Sequence, residues 1–205
     1  MITGSGTYSE TLYAPFTWEE VLAACGTENP RKIWDPGPQQ VDLGGGNIAT
    51  FDLYLAVEAY PRLELGFAVT AGQNDTHFSF STEVLTFAEP LTNISAYAAV
   101  GAHPSFTSGI VAGGFGGKAY RALYNGSQIY ADLVDTPLYY PGSDPFTTQS
   151  ISGQVSSMQA MWDFTVSANG SASGTSEYQI TGDIIPEPAT ILLFGLGLTL
   201  LRKRK

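Results

Sequence analysis

The sequence predicts an all-β protein, an antiparallel β-sandwich of jelly-roll type with one short helix and a C-terminal hydrophobic helix. Three observations carry the β assignment. Segments 48–57 and 63–69 alternate apolar and polar residues in the two-residue period of a half-buried strand. Twenty-three glycines and twelve prolines punctuate the chain with no fixed period, which excludes collagen-like and repeat architectures. Charged residues make up only 14% and aromatic residues reach 12%, a mixture that lacks the Glu/Lys/Ala richness of helical bundles.

In chain order, residues 7–13 alternate as a first strand. A capping-box spacing of Thr17 and Glu20 before Val21, Leu22 and Ala24 predicts a helix of about two turns that Gly26 stops. The segment 35–46, rich in Gly and Pro, reads as a loop. Phe51, Leu53, Leu55 and Val57 then share one strand face, with Asp52 and Glu58 on the other. Leu63, Leu65, Phe67 and Val69 repeat the pattern directly after Pro61. Phe78 and Phe80 open a strand expected to end by Glu89-Pro90, and residues 91–100 read as a more buried strand. Asn125-Gly126 separates 118–124 from 127–133 and predicts a type I′ hairpin turn. A last pair, 155–168 and 174–184, is joined by the loop 169–174.

The 205 residues suit one sizeable domain. Arg202, Lys203, Arg204 and Lys205 supply four of the nine basic residues, so residues 1–201 hold five basic and nineteen acidic residues, a net −14. An acidic body repels nucleic-acid phosphates, so DNA and RNA are excluded as partners. Cys25 is the single cysteine and cannot form an intramolecular disulfide. It reads as buried and inert, with Arg31 and Lys32 the only local groups that could lower its pKa.

Candidate chemistry in the body is thin. Gly113–Lys118 resembles a phosphate loop, but Ala112 and Ala119 stand where that motif needs Gly and Ser/Thr, so a hairpin loop is expected. His77 and His103 lack metal-ligand spacing, and no Gly-x-Ser-x-Gly elbow occurs. Asp132, Asp135 and the acids near Asp42 could bind Ca²⁺ only weakly, without EF-hand spacing. Asp163 and Glu177, on strands expected to be neighbours, are the pair to consider for glycoside hydrolysis. Asn74, Asn93, Asn125 and Asn169 each begin Asn-x-Ser/Thr and read as turn residues. Eleven tyrosines and three tryptophans could include a sugar-stacking platform, but core packing is the expectation for most. No catalytic residue, metal site or cofactor is expected.

At Asp183 the composition changes. Pro186-Glu187-Pro188 forms a stiff extended strip presenting one carboxylate, because each proline fixes its own φ and extends the residue before it. Ala189–Leu201 carries no charge over thirteen residues. As a helix opened by Pro188 that run spans roughly 20 Å, short of a ~30 Å hydrocarbon core unless Arg202 snorkels and the bilayer thins. Arg202, Lys203, Arg204 and Lys205 form a stop-transfer flank that the positive-inside rule places in the cytoplasm, leaving the acidic body on the far side. The expected division is therefore 1–183 as an extracytoplasmic body and 184–205 as a terminal signal.

Pro-Glu-Pro, a short Leu/Gly-rich apolar run and a terminal Arg/Lys cluster, in that order, resemble the PEP-CTERM sorting signal of Gram-negative and related bacteria. The resemblance covers roughly residues 184–205. It implies that Pro186, Glu187 and Pro188 are read by an exosortase, a membrane-embedded cysteine transpeptidase. It further implies export to the envelope, cell surface or extracellular matrix, transient inner-membrane anchoring through 189–201, and an association with exopolysaccharide and biofilm. Family members also carry an N-terminal secretion signal, and Met1–Gly6 has neither a basic nor an apolar region of that kind. A leader upstream of Met1 is the expectation. The alternatives are a carbohydrate-binding or carbohydrate-active protein on the same scaffold and a simple tail-anchored protein.

Overall fold

The structure, a computed structural model, describes residues 2–3, 7–8, 15–16, 20–21, 31–58, 61–105 and 109–184. Those residues are mostly antiparallel β, as expected. The strands are β1 (Ile2–Thr3), β2 (Thr7–Tyr8), β3 (Arg31–Trp34), β4 (Gln39–Asp42), β5 (Ile48–Glu58), β6 (Arg62–Thr70) and β7 (Thr76–Ser81). They continue with β8 (Leu85–Pro104), β9 (Ile110–Gly113), β10 (Lys118–Tyr124), β11 (Gln128–Asp135), β12 (Gly142–Ile151), β13 (Val155–Val166) and β14 (Ser171–Ile184).

The pairing is continuous but folds into two layers. In the first, neighbours run β12-β8-β14-β6-β5, with β3 and β4 in turn along the far edge of β5. In the second they run β11-β10-β13-β7-β1-β2, with β9 beside β10 on the same edge of β13. The inner quartets, β6-β14-β8-β12 and β7-β13-β10-β11, alternate between layers in the order of a jelly roll.

Side-chain alternation explains why the layers close on each other. Leu63, Leu65, Phe67 and Val69 are all buried on β6, while Arg62 and Glu64 on the same strand face outward. On β13, Met158, Ala160, Trp162, Phe164 and Val166 are buried at the same period. The two stripes meet across the interior: the Phe67 ring lies 4.9 Å from Trp162 and 4.7 Å from Phe164. Phe51 reaches Phe80 at 6.2 Å, and Tyr130 stacks on Tyr178 at 5.5 Å. A polar stitch crosses the core too, as Trp162 Nε1 donates to Ser176 Oγ (3.2 Å), which donates to the Leu65 carbonyl (3.1 Å).

Several expectations need correction. The segment 35–46 is not wholly loop, because Gln39–Asp42 pairs with β5 as β4. The strand opened by Phe78 stops at Ser81, and β8 runs unbroken through Glu89-Pro90. Proline is tolerated there because β8 changes partner: Leu85 and Thr86 pair with β13 in one layer, and from Leu91 onward β8 pairs with β14 in the other. The final two strands are not a hairpin pair. β13 and β14 lie in different layers, joined by a tight link in which Asn169 has φ 56°.

The Asn125-Gly126 turn is present, with φ of 49° and 77°. Its loop has one residue more than a two-residue hairpin, since Tyr124 opposes Gln128, and a bulge follows between Ala122 and Leu123. Gly114–Gly117 turns between β9 and β10, so the glycine-rich run leads into a strand as expected. Asn125 and Asn169 adopt positive φ in turns, in keeping with their reading as turn residues, whereas Asn93, also at positive φ, stands within β8 where its register against β14 shifts. Of the short helix expected over 17–26, Glu20 and Val21 are described; both are helical, and Val21 is buried. The rest of that segment, Cys25 and the hydrophobic helix expected at the C terminus lie outside the described residues. Among the described residues no helix is long and apolar enough to cross a membrane.

Candidate functional site

The body delivers its C terminus from the middle of a sheet. β14 is hydrogen-bonded to β8 on one side and to β6 on the other. Its last turn of pairing is tied down by side chains: Thr181 Oγ1 donates to the Ser95 carbonyl (3.0 Å) and Asn93 Nδ2 to Asp183 Oδ2 (2.7 Å). Ile184 still opposes Leu91. The expected boundary at 183/184 therefore falls within the last two residues of β14. Pro186, Glu187, Pro188, Arg202, Lys203, Arg204 and Lys205 all lie beyond it, outside the described residues.

Residues 185–205 match the family model of the PEP-CTERM protein-sorting motif. The match begins one residue after β14 ends and covers about a tenth of the chain. A PEP-CTERM signal implies exosortase-dependent export and association with the cell envelope. No curated protein and no solved structure matches the chain.

On the body, charged groups concentrate on the outer face of the first layer. Register aligns Glu58, Arg62, Gln179 and Tyr97 in one row across β5, β6, β14 and β8, and Ala56, Glu64, Glu177 and Ala99 in the next. Arg62 lies within 3.3 Å of Glu58, 2.6 Å of Glu64 and 2.8 Å of Glu177. Arg31 on β3 bonds both Glu64 and the Tyr54 hydroxyl, and Tyr97 donates to Glu177. Burial opposes the Arg62 charge, but Glu177, Glu58 and Glu64 outweigh it and hold its pKa above the ordinary value. Burial, together with the bond to Glu177, pushes Tyr97 up to about 12. Two guanidinium groups thus neutralise most of three carboxylates and tie four strands into a surface brace.

Beyond the brace, the next two rows are Tyr54–Gly66–Thr175–Gly101 and Asp52–Ala68–Ser173–His103. Their small residues floor an open trough of about 380 Å³, within the range of small-molecule sites. Asp35, from the link between β3 and β4, stands on its wall.

The remaining candidates disperse. Asp163 and Glu177 both point outward, but from different layers, so they face away from each other and cannot flank one glycosidic bond. Asp163 instead accepts from His77 Nε2 at 2.7 Å, with Gly114 packed over the carboxylate. Asp132 takes a two-point bond from Arg121 (2.7 and 2.8 Å), and Asp135 pairs with Lys118 at 2.7 Å. Asp42 Oδ1 caps the turn at Gly44 N (2.8 Å). Among the described residues no group of three or more His, Cys, Asp or Glu is placed to hold a metal ion.

The brace and the trough escaped sequence reasoning because each row gathers residues from strands remote in the chain. The alternation of β5, β6 and β14 was legible, but only the register puts Asp52 level with His103.

Proposed function

We propose that this chain is an exported, non-enzymatic protein delivered to the bacterial surface or extracellular matrix by exosortase processing at its C terminus, where its body associates with exopolysaccharide in a biofilm or envelope matrix. The observation that carries the reading is the PEP-CTERM motif over 185–205, set directly against the end of β14. On this reading Pro186, Glu187 and Pro188 are the recognition strip. Ala189–Leu201 is the short membrane helix that holds the substrate at the enzyme. Arg202, Lys203, Arg204 and Lys205 stop transfer on the cytoplasmic side.

The body's part in this reading is supported by what its acidic side chains do. The Arg31/Arg62 brace and the Lys118 and Arg121 pairs hold Glu58, Glu64, Glu177, Asp132 and Asp135 in ion pairs, so these five carboxylates are not free to act as a general base.

The test is expression in an exosortase-positive host behind a working leader. Wild type should appear as a shorter form lacking Arg202–Lys205. Joint replacement of Pro186, Glu187 and Pro188 by Ala removes the stiffness and the charge but leaves the apolar run, so that variant should stay full length and membrane-bound. Equal intact masses, with the tail retained in both, would replace this reading with a tail-anchored protein.

A further inference from the structure

The brace and the trough share one sheet face and differ in one respect. In the brace each carboxylate and guanidinium is bonded to another group of the same cluster. In the trough the Asp52 carboxylate, the His103 imidazole and the Ser173 and Thr175 hydroxyls make no hydrogen bond or ion pair to any described residue. Unused donors and acceptors are thus gathered over a bare floor.

We propose that the trough is a binding site for a neutral oligosaccharide. A saccharide presents hydroxyls that both donate and accept. The Asp52 carboxylate accepts from neighbouring hydroxyls, Ser173 and Thr175 each supply a donor and an acceptor, and the His103 ring offers two nitrogens. Gly66 and Ala68 leave the floor flat, so the face of a sugar ring can approach the backbone closely. Tyr54 supplies an apolar ring at the wall, and its hydroxyl bond to Arg31 fixes that ring before any ligand arrives.

Charge selects among sugars. Asp35 and Asp52 line the trough and, among the described residues, no basic side chain except His103 does, on a body of net −14 over residues 1–201. Uronic acids and sulfated or phosphorylated glycans are therefore repelled. A cationic peptide would be attracted to the two carboxylates, but the hydroxyls, the imidazole and the bare glycine floor would go unused. This inference deepens the reading of the body as a non-enzymatic exopolysaccharide-binding protein and does not depend on the sorting step.

The full-length chain, in a detergent without a sugar headgroup, should be titrated calorimetrically with cellohexaose, maltohexaose, mannohexaose, hexagalacturonate and hexalysine. At least one neutral hexasaccharide should bind, and hexagalacturonate should not. Gly66→Val should abolish that binding, because its side chain rises from the floor. A Cβ there meets only ordinary contacts, 3.5 Å to Tyr54 Cβ and 3.6 Å to Thr175 Cγ2, and valine favours a strand, so the melting temperature should not fall. Asp52→Asn, which keeps the shape, should weaken binding about tenfold, one lost charge-assisted bond. Absence of binding by all three neutral sugars, survival of binding in Gly66→Val, or binding of hexalysine alone would overturn the proposal. Cleavage of a bound hexasaccharide would instead leave the site standing and sink the non-enzymatic reading, and the intact-mass assay of the sorting signal is unaffected by either result.

Discussion

Gly174 opposes Phe67 across the β14–β6 ladder, and a Cβ added there would lie 2.6 Å from Phe67 Cε1 and 2.8 Å from Cζ. Contacts that short require movement, and the ring cannot move freely because Trp162, Phe164 and Phe80 pack around it at 4.9, 4.7 and 6.1 Å. The other neighbour, the Gly101 carbonyl oxygen at 3.1 Å, is backbone. Overpacking a tight core costs about 1–3 kcal/mol, whereas Gly→Ala in an unstrained strand returns about 0.4–1 kcal/mol through the unfolded chain. The clash wins, and Gly174→Ala should destabilise by about 1–2 kcal/mol. For a domain of this size that is a fall in melting temperature of about 2–8 °C. Phe67→Leu removes the colliding ring edge, so Gly174→Ala in that background should be neutral or stabilising. The two changes should couple by at least about 1 kcal/mol. Urea unfolding followed by the fluorescence of buried Trp162 measures all four corners of the cycle. An equal cost of Gly174→Ala in both backgrounds would show that Phe67 is not the obstacle and that the facing stripes do not meet as described.

Gly126→Val forces a β-branched residue to φ 77° and should cost about 1 kcal/mol or more, read as a drop in melting temperature; an unchanged value would mean that the chain turns elsewhere. Arg62→Ala strips the shared cation from Glu58, Glu64 and Glu177 and should destabilise by about 1–2 kcal/mol after allowance for partial exposure, and added salt should reduce the deficit. High pH gives a signed test. Tyr97 is pushed up to about 12 by burial and its Glu177 bond, and burial raises Tyr120 and Tyr178 as well. Groups raised in the folded state bind more protons there than in the unfolded chain, so their contribution is whole below about pH 10, the unfolded value, and is lost as pH climbs through the folded values. Phenolate absorbance should therefore appear in a cooperative step together with unfolding above about pH 10; smooth ionisation of these three at the ordinary tyrosine value would refute the burial assignment.

Much of the fold was legible because strand alternation is a local signal. Leu63, Leu65, Phe67 and Val69 announce a buried face without reference to any partner, and Asn125-Gly126 announces its own reversal. What escaped was non-local. Gln39–Asp42 lies among glycines and prolines, and only its pairing with β5 makes it a strand. Pro90 reads as a terminator, yet β8 passes through it because the strand is changing layers there. Adjacency in sequence suggested that β13 and β14 pair, whereas the jelly-roll order sends them to opposite layers and with them Asp163 and Glu177. The C-terminal signal was readable because Pro186-Glu187-Pro188, the apolar run and the basic tail are contiguous. The trough was not, since Asp52, Ala68, Ser173 and His103 meet only through three registers.

The place of β14 between β8 and β6 sets how the body would bear a load. A domain tethered through residues beyond Ile184 is pulled along β14, nearly parallel to its neighbours. Tension in that direction must slide β14 past β6 and β8 together, breaking many hydrogen bonds at once. A strand hanging from an edge would instead unzip one bond at a time. The Asn93–Asp183 and Thr181–Ser95 bonds sit at the end where the pull enters, so they take up strain first. The short β1 and β2, paired over two residues, lie at the far end of the other layer, off that line of force. A tether at this end makes a strand bonded along both edges the body's point of attachment.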